Sequence, residues 1–166
     1  MDRLEARHAL FGREPELRRL REAIARIADG AGEALLLTGE AGVGKTSLLG
    51  QAAALATGNV AGGASGRGIR VLRAAGTQFE AEISYAALHQ LLHPCLGEAS
   101  RLSPLLTGAL NVALGLGEGA APEPLLVATA VLALLTATGG PVLLVIDDLP
   151  WLDAPARSCS AWWQDA

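Results

Sequence analysis

The sequence predicts an α/β fold built on a parallel sheet, and three observations carry that expectation. Two short aliphatic runs, Ala34–Thr38 and Val142–Ile146, are apolar enough to be strands covered on both faces. Each run ends at a chemically distinct junction: a glycine-rich turn at Gly39 after the first, the acid pair Asp147 and Asp148 after the second. Helical periodicity occupies the intervals between them, the alternation that crossover connections of a parallel sheet require.

In chain order, residues 15–29 predict an amphipathic helix, because Leu17, Leu20, Ile24 and Ile27 recur at helical spacing and Gly30 closes it. Arg13, Arg18, Arg19, Arg21 and Arg26 alternate there with Glu14, Glu16 and Glu22, which predicts a solvated face with partners four residues apart. After the first strand and Gly39–Thr46, the composition from Lys45 to Ala56 is helix-forming and ends near Gly58. The stretch Gly58–Gly68 holds five glycines in eleven residues and predicts a flexible connection. Ile69–Ala74 predicts a third strand, and its arginines, Arg70 and Arg73, suit a sheet edge. Helices are expected over 83–93, 101–114 and 124–137. Leu125–Ile146 runs twenty-two residues without a charge, long enough to cross a bilayer. Thr136–Pro141 would stop such a helix midway, so a buried helix, a turn and a strand are expected and no membrane span.

Gly39-Glu40-Ala41-Gly42-Val43-Gly44-Lys45-Thr46 fits G-x-x-x-x-G-K-[ST], the Walker A phosphate-binding loop, and Lys45 is the only lysine beside twelve arginines. Its glycines let the backbone curl so that successive N–H groups face phosphate oxygens, and the following helix adds its positive end. On this reading Gly39, Glu40, Ala41, Gly42, Val43, Gly44, Lys45, Thr46 and Ser47 cradle a nucleotide. Lys45 would bridge the β- and γ-phosphates, and the Thr46 hydroxyl would be a ligand of Mg²⁺. The plain alternative is a glycine-rich turn that binds nothing. The strand before Asp147 and Asp148 supplies the matching Walker B element at the end of a sheet where ligands bind. Asp147 is the magnesium-side carboxylate, acting through an ion-bound water, and Asp148 the general base for an attacking water. Taken alone, such an acid pair is equally a turn or a helix cap. His89 and His93 have metal-compatible spacing without an obvious third ligand and read as surface or interhelical polar groups. Glu80 and Glu82 suit either the nucleotide or a helix N-terminus.

The chain resembles the N-terminal ATPase module of large LuxR-family (MalT-like) transcriptional regulators, within the STAND branch of AAA-like P-loop NTPases. The resemblance runs over residues 9 to 153 and is carried by Leu10–Leu17, Gly39–Thr46, Ile83–Leu92, Ala113–Leu116 and Asp147–Asp153. It implies a P-loop NTPase three-layer sandwich and an ATP–Mg²⁺ cofactor. It also implies self-association through the module and DNA binding by a domain elsewhere. It adds Gly12 and Arg13 as candidates for the base pocket, Arg13 otherwise being a solvated arginine before a helix. The family's sheet places a further strand, with its sensor residue, between the P-loop strand and the Walker B strand. Residues 154–166 lack the helix that follows the acidic motif in relatives, so an incomplete domain with little hydrolysis is expected. The expected organisation is an entry helix over 1–30, a partial NTPase core over 31–153 and an atypical tail over 154–166. A stand-alone P-loop enzyme such as a small-molecule kinase is the alternative, although only Arg67 stands in the Gly58–Gly68 stretch to serve it. A non-functional gene remnant is a third reading.

At 166 residues with a formal net charge of −4 and no basic patch, one domain is expected, without direct nucleic-acid binding. Cys95 and Cys159 lack metal-type spacing and no signal peptide precedes them, so reduced thiols in the cytoplasm are expected.

Overall fold

Two parallel strands, β1 (Arg70–Ala75) and β2 (Val142–Asp147), organise the chain. They run in register from Arg70 opposite Val142 to Ala75 opposite Asp147. This is a computed structural model that describes residues 12–58, 68–78 and 84–152. Side chains alternate between the faces of a strand, so the ladder divides the apolar residues into two sets. Val71 and Leu143 share one face with α1 (Glu14–Ala28) and α2 (Lys45–Gly58), against Leu20, Ile24, Leu48, Ala52 and Ala56. Leu72, Ala74, Leu144 and Ile146 take the other. There they meet α3 (Ala86–Leu92), a 3₁₀ segment (His93–Arg101), α4 (Pro104–Ala113) and α5 (Pro124–Ala137). The result is helix, sheet, helix: the three-layer α/β arrangement expected from the sequence. Leu92, Leu110, Val127, Val131 and Leu134 are fully buried on the second side. Each contributes roughly 1.5–3 kcal/mol of transfer free energy.

Local chemistry sets the element ends. Pro94 cannot donate a helical hydrogen bond, and where the sequence predicts one helix to residue 93 the chain tightens into the 3₁₀ segment. Ser103 caps α4 by accepting the Leu106 N–H, with Pro104 in the first turn. Gly139, at φ +71°, lets α5 stop, and Arg101 donates to the Ala137 carbonyl at 2.8 Å. The uncharged run thus resolves into helix, turn and strand, and no described helix is long and apolar enough to cross a membrane.

Two expectations fail. Ala34–Thr38 forms no strand: among the described residues its backbone makes no hydrogen bond, and Leu36 is 69% exposed. A strand exists only as part of a ladder, and no described segment hydrogen-bonds to this one. The same holds for the outer edge of β2. Arg70 N–H donates to Pro141 and Gly76 N–H to Asp147, so the intervening groups of Val142, Leu144 and Ile146 turn away from β1. Leu37 nonetheless packs, as Leu143 does, against the α1–α2 cluster. The second failure concerns the arginines of α1. Arg19 and Arg26 both pair with Glu33, beyond the helix, and Arg13 pairs with Glu16 three residues on. The Gly-rich stretch 59–67, Glu80, Glu82, Cys159 and the tail 154–166 lie outside the described residues.

Leu134→Ala should lower stability by about 2–5 kcal/mol, read from the urea midpoint of the full chain. The guanidinium of Arg26, with Arg19 beside it, holds the Glu33 carboxyl below its ordinary value of 4.5. A depressed pKa means the unfolded chain takes the proton first. The pair's contribution is therefore complete above pH 4.5 and fades as pH falls through the lower folded value. Glu33→Gln should flatten that acid limb in a stability–pH series, its loss of stability present at pH 7 and vanishing toward low pH.

Candidate functional site

The loop between Thr38 and α2 has the backbone its glycines permit. Gly42 and Gly44 lie at φ +77° and +94°, where side-chain-bearing residues are strained. A Cβ on Gly39 would stand 3.0 Å from Val43 Cγ1. The Leu48 N–H donates to the Gly44 carbonyl at 3.0 Å and opens α2. Ahead of it, the N–H groups of Gly44, Lys45, Thr46 and Ser47 meet no protein acceptor among the described residues. No acidic residue occupies the first turn of α2, so nothing on the helix itself offsets its positive end. Lys45 is half-buried, and its Nζ donates to the carbonyls of Gly39 (3.0 Å) and Glu40 (2.9 Å). Thr46 and Ser47 are exposed. Directed amides, a helix N-terminus and one ammonium together form a site for a multiply charged anion.

Arg13 belongs to this loop. Its guanidinium donates to the Val43 carbonyl at 2.9 Å and to Glu16 at 2.7 Å, holding the Glu16 carboxyl below its usual range. It is more than a solvated arginine before a helix. Gly12 is exposed, at φ +74°.

Asp147 ends β2 opposite Ala75. Strand alternation puts it on the same face as Leu143, the face α2 covers. Its Oδ1 accepts the N–H of Asp148 at 3.0 Å. Asp148 itself is exposed and left-handed (φ +52°, ψ +48°), a conformation that aspartate tolerates better than most residues. No ion pair joins Lys45 to either acid among the described residues; the lysine is committed to its own loop.

Sequence reasoning passed over Gly76, which fixes the acidic turn. Its N–H donates to the Asp147 carbonyl at 3.0 Å. A Cβ there would lie 2.5 Å from the Asp148 carbonyl oxygen and 2.7 Å from the Trp151 carbonyl carbon. Gln90 of α3 accepts the Ala75 N–H at 3.2 Å and secures the same end of β1. A glycine directly after a strand reads as an ordinary turn, so its packing role had no sequence signature. An apolar groove of about 370 Å³ lies between α4 and α5, lined by Pro104, Leu105, Val112 and Leu126. It belongs to the other helical layer and offers nothing for a phosphate.

A family model described as "AAA ATPase domain" matches residues 9–160. No curated protein and no solved structure matches the chain.

Gly76→Ala should cost about 1–3 kcal/mol in urea denaturation, because backbone must move to admit the methyl. Gly50→Ala, on α2 with nothing within 4 Å of the added carbon, should instead stabilise by roughly 0.5–1 kcal/mol.

Proposed function

The chain belongs to the AAA ATPase domain family of nucleotide-binding P-loop modules, and from that premise we propose that it binds ATP with Mg²⁺ as the switch module of a LuxR-type, signal-responsive transcriptional regulator. One observation carries the binding half: four consecutive amides, Gly44 to Ser47, have no protein acceptor among the described residues, at the head of a helix that begins with the only lysine. Binding would exchange the two neutral carbonyls now held by Lys45 for charged phosphate oxygens, a stronger acceptor class. Gly39 to Val43 supply the curled backbone of the cradle.

Thr46 and Asp147 are the groups that would hold magnesium, the hydroxyl directly and the carboxylate through water. When bound, the ion would neutralise charge between the β- and γ-phosphates. Asp147 suits that part because strand alternation brings it out on the face covered by the phosphate-loop helix. Asp148, one residue on and exposed, is the group that would polarise a water. The regulatory half rests on the resemblance carried by Tyr85–Leu92 and Asp147–Asp153. It entails a cytoplasmic module that associates with copies of itself and leaves DNA to another domain. The net charge of −4 agrees with that division of labour.

Calorimetric titration of the full chain with ATP and Mg²⁺ tests the site. Lys45→Ala should weaken binding at least tenfold, given about 1.5–3 kcal/mol for each charged hydrogen bond lost; unchanged affinity would refute it. Asp148→Asn should keep the affinity and remove phosphate release. If binding is lost instead, the two acids have been given each other's roles.

A further inference from the structure

We infer that Arg13 is a positioning residue that sets the phosphate loop, rather than a contact for the nucleotide base; this rests on the nucleotide reading above and deepens it. The guanidinium forks between two protein acceptors, the Val43 carbonyl at 2.9 Å and Glu16 at 2.7 Å. Its own backbone is held as well. Arg13 immediately precedes α1, and its carbonyl accepts the Leu17 N–H at 2.9 Å. Helix α1 in turn packs on α2 through Leu20 and Ile24 against Leu48 and Ala52. The arginine therefore ties the tip of the loop to a helix already seated against the helix the loop begins.

What this does to the loop follows from peptide geometry. In a trans peptide the carbonyl of one residue and the N–H of the next point in opposite directions. Pinning the Val43 carbonyl toward Arg13 thus aims the Gly44 N–H away from it. A second consequence concerns Ser47. Had α2 begun one residue earlier, the Val43 carbonyl would have accepted the Ser47 N–H. It accepts Arg13 instead, and the Ser47 N–H has no protein acceptor among the described residues. One side chain thereby orients one amide of the cradle and keeps a second uncommitted. Glu16, pinned to the other arm of the fork, limits the rotamers from which Arg13 can reach the carbonyl.

The experiment separates the loop from the base by comparing ATP with inorganic tripolyphosphate, both with Mg²⁺, in calorimetric titrations of the full chain. Arg13→Ala should weaken both ligands by the same factor, roughly three- to tenfold. Arg13→Lys, which keeps one donor but not the fork, should recover part of that loss for both. Glu16→Gln should give a smaller loss in the same direction, and it carries the test should Arg13→Ala not fold. A loss confined to ATP would make Arg13 a base contact and overturn the inference. Unchanged affinities alongside a lower melting temperature would overturn it too, leaving Arg13 a strut for α1. If the unsubstituted chain bound neither ligand, the nucleotide reading itself would fall, an outcome distinct from both.

Discussion

The ladder between β1 and β2 is the constraint from which the rest of the molecule follows. Six residue pairs in parallel register sort every strand side chain onto one of two faces. That sorting assigns Val71 and Leu143 to the α1–α2 side, and Leu72, Leu144 and Ile146 to the α3–α5 side. It also puts Asp147 opposite Ala75, so that Gly76 follows at a point where the backbone of the acidic turn leaves no room for a side chain. A slip of one residue would exchange both sets of side chains and carry the Asp147 carboxylate to the wrong layer.

Much of this was legible in advance, for reasons that differ by element. Helix α5 and strand β2 were readable because Pro124, Gly139 and Pro141 punctuate an otherwise uniform apolar run. The phosphate loop was readable because Gly42 and Gly44 occupy backbone angles that few other residues accept. Ala34–Thr38 misled, since its composition reports a wish for burial and says nothing of whether a neighbour is present to complete a ladder. Glu33 was invisible because its arginine partners lie seven and fourteen residues away, outside any local rule. The contact of Arg13 with Val43, thirty residues along the chain, is long-range in the same sense; the resemblance named the arginine but not its acceptor.

The two helical layers are held by different means. On the α3–α5 side the core is built from large aliphatic side chains, with Leu72, Leu92, Leu110 and Leu134 at its centre. On the other side α2 is buried largely through alanines, Ala52, Ala53 and Ala56, beside Leu48, and α1 packs in through Leu20 and Ile24. The smaller residues let helix and sheet backbones approach, while the apolar area available per residue is lower. That layer is supplemented by polar ties, Glu33 to two arginines and Arg13 to the loop. The loop thus sits on the layer with less hydrophobic burial, the kind of region from which moving parts are drawn.

Lys45 carries the only side-chain amine in the chain, and its nitrogen rests between the carbonyls of Gly39 and Glu40. For amine-selective acylating reagents that leaves a single side-chain target, located in the loop itself. The modification would add a known mass to one peptide, and its rate would rise or fall with how tightly those carbonyls hold the ammonium. The chain therefore contains its own reporter of loop chemistry, with no residue introduced for the purpose.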